Sequence, residues 1–469
     1  MSFASVQFLY VFLPLSLAAY YLLPRLLRNL VLAVFSLVFC VWGGLRHTLL
    51  LVGFTLLNWL FGLVLGRRPG RTPLLWGAVG VDLLYLCFFK YAGFFAENLN
   101  LVLPVQLPVL ELALPLGISF YTFQAISYCI DVARGQAAPQ RNPVRFFCYL
   151  AFFGHISSGP IVRYLYQAEA LDPCSPARRV GVERFCYGIK RFVFGLAKKA
   201  LIADQLGLLY SRVISLPAAE LPGEALALGY LAFALELYYD FSGYSDMAVG
   251  LGEMFGLVLP ENFDYPYLSS TVGEFWRRWH ITLGGWFRDY LYFPLGGSRV
   301  GLLRTCRNLL VVFLLTGLWH GAAWQYLAFG LWHGVLLCLE RLGLKRLLDH
   351  LPRLFSHIYT CGVVWIGMVF FGAPGLREGL RALYGIARWQ SGAPGLTFSA
   401  FADPKLLVLL VVGLLFCGPV QAAVPRLRQA LRSRDLPGPA MMLVLLVLGL
   451  FSLMRVTAGT YNAFIYFQF

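Results

Sequence analysis

The sequence predicts an all-α, polytopic membrane protein with about ten to twelve transmembrane helices. Hydrophobic residues make up 59% of its 469 residues and charged residues only 13%. That charge content is about half the roughly 25% a soluble domain uses to cover its surface. Aromatic residues reach 16%, which suits an apolar core bounded by interfacial belts. The apolar residues fall into runs of span length separated by short basic connections.

Taken in order, the expected spans are Val6–Leu23, Leu30–Gly44, Thr48–Gly66, Pro73–Phe89 and Leu110–Ile130. They continue with Leu226–Tyr238 and its extension, Asn308–Trp324, Tyr326–Leu339, Ile358–Phe371, Leu406–Cys417 and Met441–Met454. The first run has no basic n-region and no Ala-x-Ala site, so it reads as a span and not as a cleaved signal. Two further stretches read as re-entrant or interfacial. Phe146–Val162 is broken by Gly154, Ser157, Ser158, Gly159 and Pro160, and Val272–Leu295 carries Arg277, Arg278, Arg288 and Asp289. Irregular backbone at membrane depth requires protein or a water-filled cavity around it.

The net charge of +15 is organised by topology. Arg25 and Arg28, then Arg67, Arg68 and Arg71, then Arg134, Arg141 and Arg145, fall between apolar runs. So do the bases from Arg178 to Lys199, and Arg299, Arg304 and Arg307. Placing all of them in the cytoplasm is self-consistent and puts the N-terminus outside. The charge is thereby explained without a nucleic-acid partner; membrane lipids are the expected neighbours. Phe185–Leu201 alternates apolar and basic residues at helical spacing and is expected along the cytoplasmic membrane surface. The ten cysteines form no Cys-x-x-Cys pair, and Cys40, Cys87, Cys338 and Cys417 sit inside apolar runs as small hydrophobes. No internal repeat of the transporter kind is present.

Polar residues inside apolar runs are costly, and are functional candidates for that reason. Of seven histidines, His155, His280, His320 and His333 lie in or beside apolar stretches. His320 stands thirteen residues beyond Arg307, roughly 20 Å along a helix. Gly317 and Gly321 flank it and leave room for another backbone or for a ligand. A neutral imidazole takes a proton from a hydroxyl and returns it, which is general-base chemistry. The competing reading is a helix–helix contact through small residues. His333, in a second Trp-His-Gly triplet, reads as a packing residue. Asp240 and Asp246 lie six residues apart, too far to act side by side on one helix face. They can orient a histidine, hold a cation or pair with arginine. Arg277 and Arg278, among Trp276, Trp279 and Tyr267, suit either phosphate pairing or a headgroup anchor.

In one order along the chain come Leu116-Gly117-Ile118-Ser119-Phe120-Tyr121-Thr122-Phe123, Asp240-Phe241-Ser242-Gly243-Tyr244-Ser245-Asp246 and Glu261-Asn262-Phe263. Then follow Glu274-Phe275-Trp276-Arg277-Arg278-Trp279-His280, Arg288-Asp289-Tyr290-Leu291-Tyr292 and Gly317-Leu318-Trp319-His320-Gly321. In these the chain resembles the membrane-bound O-acyltransferase family, and within it the bacterial branch of alginate O-acetyltransferase-like membrane subunits. The resemblance ends near Gly334. It implies one integral membrane domain over 1–469, with N-terminal helices in 1–109, a motif-bearing catalytic core in 110–334 and C-terminal helices in 335–469. It also implies a central tunnel with re-entrant helices around it. The essential histidine falls on His320 and a second polar position on His280. The same resemblance implies acetyl-CoA as donor substrate with no bound cofactor or metal, and a cytoplasmic donor side. Acetyl-accepting proteins, periplasmic or membrane-anchored, would finish the modification of an exopolysaccharide at a bacterial inner membrane.

On this reading His320 is the expected base, with His280 or Asp240 orienting or polarising. Trp319, Gly317, Gly321, Tyr244, Asn262, Trp276, Arg277 and Arg278 are expected to line the tunnel or contact substrate. Acylation of teichoic acid, a lipid or a protein by the same fold remains open. So do a proton-coupled transporter using Asp240 and His320, and a scaffold without chemistry.

Overall fold

The computed structural model describes residues 1–67, 72–110 and 112–459; the basic-loop residues Arg68 and Arg71 lie outside the described residues. Helices carry the chain, with no strand among the described residues. In chain order they are α1 (Leu13–Leu22), α2 (Arg28–Val41), α3 (Leu45–Arg67), α4 (Thr72–Asn100), α5 (Ile118–Ala133) and α6 (Pro143–Ala151). Next come α7 (Val182–Ala197), α8 (Asp204–Ile214), α9 (Gly223–Met254), α10 (Val272–Arg278), α11 (Ile281–Phe287) and α12 (Leu302–His320). The chain continues through α13 (Trp324–Leu339), α14 (Arg353–Gly372), α15 (Leu376–Ala387), α16 (Pro404–Phe416), α17 (Pro425–Arg432) and α18 (Pro439–Thr457).

Among the described residues six helices are long and apolar enough to cross a bilayer: Leu45–Arg67, Thr72–Asn100, Leu302–His320, Trp324–His350, Arg353–Gly372 and Pro439–Thr457. Phe8–Leu22 and Pro404–Phe416 are apolar but shorter. Helix α9 has ample length at 32 residues, but Glu236, Asp240, Asp246 and Glu253 interrupt its apolar character. The higher count expected from hydropathy includes segments that the backbone breaks. The run from Leu110 starts its helix only at Ile118, because Pro104, Pro108 and Pro115 precede it and proline forbids an interior turn. Gly117 caps α5 at φ +71°, where a Cβ would lie 1.8 Å from the Ile156 carbonyl oxygen. That is the physical reason for glycine in the Leu-Gly-Ile motif. Phe146–Val162 divides into α6 and an irregular segment whose residues 152–162 are all buried. Val272–Leu295 divides into α10 and α11, with His280 at φ 46° between them.

The chain falls into two compact units. The first comprises Met1–Leu196, Tyr244–Glu261 and Arg434–Leu450; the second comprises Ala197–Gly243, Asn262–Ser433 and Phe451–Phe469. In the first unit, α3 and α4 are joined at their buried polar positions, where Asn58 Nδ2 donates to Asp82 Oδ1 at 2.8 Å. Basic residues of the segment expected on the membrane surface turn inward. Arg191 pairs with Asp246 and Glu261; Arg184, immediately before the segment, pairs with Glu253 at 2.6 Å. In the second unit, Lys199 of that same segment is 4% exposed. Burying a charge is tolerated when an opposite charge neutralises it, and a sequence pattern does not show where that partner stands.

Candidate functional site

Helix α12 ends on His320, and Gly321 leaves the helix in an extended conformation. The chain then reverses into α13. The two helices touch through glycine. A Cβ on Gly317 would lie 2.1 Å from the Tyr326 carbonyl oxygen, and one on Gly330 would lie 2.3 Å from that of Phe313. A Cβ on Gly321 would meet the Tyr326 ring at 2.2 Å. The space expected over Gly317 and Gly321 is thus taken by protein. These two glycines permit close helix approach.

That close approach places His320, 4% exposed, in an aromatic cradle. Its ring meets Trp319, Phe329 and Phe371 edge-on, with centroids at 5.1, 5.9 and 5.0 Å. Phe329 carries the layer on to Trp276 at 5.9 Å, and Trp276 reaches His333 at 5.0 Å. His333 is fully buried with neither ring nitrogen hydrogen-bonded among the described residues, in keeping with a packing role.

His280 enters the same layer through Trp319, 5.8 Å away, and stands perpendicular to Phe241 at 4.7 Å. Its backbone is left-handed, a conformation that costs a non-glycine residue free energy and persists only under outside constraint. The constraint is Asn262. Its Oδ1 accepts from the Thr282 amide at 3.1 Å and the Thr282 hydroxyl at 2.9 Å, and its carbonyl accepts from the Ile281 amide at 3.0 Å. A backbone amide only donates, so the Asn262 side-chain orientation is fixed. His280 Nδ1 sits 3.1 Å from the same Oδ1 and must therefore be the protonated nitrogen, which makes Nε2 the acceptor in the neutral ring.

Asp240 sits in a charged region of its own. Lys199 Nζ bridges Asp240 at 2.9 Å and Asp204 at 2.8 Å. Arg278 pairs with Glu274 at 2.9 Å and lies 3.7 Å from Asp264. Asp264 also receives Arg428 at 3.0 Å and Arg432 at 2.5 Å. Partial burial pushes the Asp264 carboxyl up, but the hydrogen bond from Arg432 and the surrounding guanidinium charges outweigh it and hold it below the ordinary value. Arg277 is exposed. In the first unit Tyr244 hydrogen-bonds Ser157 and stacks on Phe3 at 4.6 Å.

The structure thus joins His320, Trp319, His280, Asn262 and Trp276 in one layer of the second unit. It gives Asp240 a lysine partner, and Tyr244 its contacts within the first unit. Sequence reasoning missed Phe371, which lies beyond the last matching motif, and Lys199, which reads as a surface base. The only sequence signal for Phe371 is its place in an apolar run; for Lys199 it is the carboxylate five residues on.

The chain matches the model of the membrane-bound O-acyltransferase family over residues 138–373. It is 39% identical to a probable alginate O-acetylase of Pseudomonas putida across the full length of both chains. It is 32% identical to a peptidoglycan O-acetyltransferase of Helicobacter pylori over 82% of this chain and 79% of that one. A teichoic acid D-alanyltransferase of Bacillus subtilis is 30% identical over 47% of this chain and 58% of its own length. The chain is a multi-pass membrane O-acyltransferase and belongs to the membrane-bound O-acyltransferase family.

Proposed function

We propose that the protein takes an acetyl group from acetyl-CoA at the cytoplasmic face of a bacterial inner membrane. It delivers the group across the membrane for O-acetylation of an exopolysaccharide such as alginate or cellulose. Acetyl-accepting proteins, periplasmic or membrane-anchored, are its proposed partners. The observation that carries this reading is a histidine at a helix end, enclosed by Trp319, Phe329 and Phe371.

In the proposed step His320 removes the proton from an acceptor hydroxyl as its oxygen attacks the thioester carbonyl. The C–O bond forms, the C–S bond breaks, and the departing thiolate takes the proton back from the imidazolium. Products are the acetyl ester and free CoA thiol. Aromatic enclosure keeps out the water that would hydrolyse the donor. A positioned base contributes about 10²–10⁴-fold, and alignment of donor and acceptor supplies much of the remainder. Of the two helpers that the sequence nominates, His280 reaches the ring layer through Trp319, while Asp240 is engaged by Lys199. The orienting role therefore goes to His280.

The test is transfer from radiolabelled acetyl-CoA by purified protein in lipid nanodiscs. Labelled acetyl ester on an added oligosaccharide or accepting protein supports the reading. Donor left intact with every acceptor, or transport of a substrate with no acetylated product, refutes it.

A further inference from the structure

In the first unit, α3 and α4 leave an open groove of about 600 Å³. One stripe of α3 forms its length, with Arg46, Leu49, Leu50, Gly53 and Leu57 recurring at helical spacing. Val81 and Tyr85 border it from α4. Both helices are long and apolar enough to cross a bilayer, and Leu49, Leu57 and Val81 stay exposed. A Cβ on Gly53 would meet nothing within 4 Å, so the groove is open along its middle.

The groove has a closed end and a charged end. Toward the closed end Phe54 stands 4.9 Å from Tyr85 and 5.1 Å from Tyr121, and the two tyrosine hydroxyls are 3.1 Å apart. One residue past Leu57, Asn58 donates to Asp82 at 2.8 Å and joins the two helices. At the other end stands Arg46, exposed and with no carboxylate partner among the described residues. Leu57 lies eleven residues beyond Arg46, about 16 Å along the helix axis. That is about half of a hydrocarbon core roughly 30 Å thick, so the groove is one leaflet deep. On the Arg46 side of these helices the sequence holds Arg46, His47, Lys90, Glu97 and Glu111. On the other side it holds Arg67, Arg68, Arg71, Arg134, Arg141 and Arg145 against Asp131. The positive-inside rule therefore places the groove in the leaflet away from the cytoplasm.

We infer that this groove holds one acyl chain of a membrane phospholipid, with the lipid phosphate on Arg46. A guanidinium meets a phosphate through paired, charge-assisted hydrogen bonds. The leucines match the chain, and the depth matches a single leaflet. A partner's transmembrane helix would need the full thickness of roughly 30 Å, and the Asn58–Asp82 joint stops the groove halfway. The inference does not depend on the acetyl-transfer reading.

The experiment is native mass spectrometry of the full chain released from detergent micelles. It is titrated with phosphatidylglycerol and, separately, with diacylglycerol of the same chains. The wild type is expected to bind one phosphatidylglycerol about tenfold more tightly than diacylglycerol. Arg46→Ala raises the phosphatidylglycerol Kd about tenfold and leaves the diacylglycerol Kd unchanged, and Arg46→Lys recovers part of the loss. Gly53→Leu puts a helix-favouring side chain into the open groove and weakens both lipids about tenfold. Unchanged phosphatidylglycerol binding in Arg46→Ala and Gly53→Leu overturns the inference. So does equal affinity of the wild type for the two lipids, or a dimer that Gly53→Leu dissolves, which would make a second copy the occupant. If Gly53→Leu lowers the melting temperature, the Arg46 pair of variants decides.

Discussion

Two regions of the second unit bury polar groups by opposite means. Around Lys199 the groups are ions: one ammonium holds two carboxylates, Asp204 and Asp240, at 2.8 and 2.9 Å. Around His320 rings stand edge-on at 5.0 to 5.9 Å, and Asn262 holds His280 of the same layer. An ion pair is held by its own charges and resists a change in protonation. A neutral imidazole can accept a proton and return it within one reaction, which a paired ion does not offer. A single apolar interior thus holds a region suited to fixing helices and a region suited to proton transfer.

The contrast breaks most visibly at Lys199. Lys199→Met leaves two buried carboxylates without their cation and is expected to cost about 3–5 kcal/mol, read as lost monodisperse protein in detergent. Adding Asp240→Asn should recover part of that loss; a fully stable Lys199→Met single variant would mean the region does not depend on its charge. Next is Asn262→Ala, which strips three acceptor contacts from around His280. Stranding buried donors costs about 1–3 kcal/mol. Expressed as activity, that is about 5- to 150-fold, in the initial rate of acetyl transfer per folded protein. Gly317→Ala comes close behind. Its methyl must displace the Tyr326 carbonyl, and overpacking of this kind costs about 1–3 kcal/mol, visible as a lowered melting temperature.

Smallest is Asp264, whose side chain is 34% exposed and therefore partly screened. Its carboxyl is held below the ordinary value in the folded chain. The stability it adds is present above the unfolded aspartate value, about 3.9, and disappears as pH falls through the lower folded value. Solvent keeps it under about 1 kcal/mol. Melting curves between pH 7 and pH 3 should show the wild type losing this increment and Asp264→Asn lacking it throughout.

Much of this was legible in the residues. Apolar runs and basic loops announced a helical membrane protein, and Trp319-His320-Gly321 inside such a run announced a candidate base. Asn262 was legible only as a motif member, because its three contacts depend on the left-handed turn at His280. Gly317 and Gly321 were legible as a close approach by a backbone or a ligand, because a glycine declares the approach without declaring what approaches. Lys199 and Asp240 stand 41 residues apart, and no helical period connects them. The run from Leu110 looked like a span because hydropathy does not register the prolines that delay its helix.

The most direct test of the account is the rate of acetyl transfer by His320→Gln protein in nanodiscs, with elution and melting temperature matched to the wild type. Glutamine keeps a polar side chain in the cradle but cannot cycle a proton. The account predicts a rate lower by about 10²–10⁴-fold, with acetyl-CoA binding retained. A rate within about tenfold of the wild type would contradict it and move the base elsewhere in the chain.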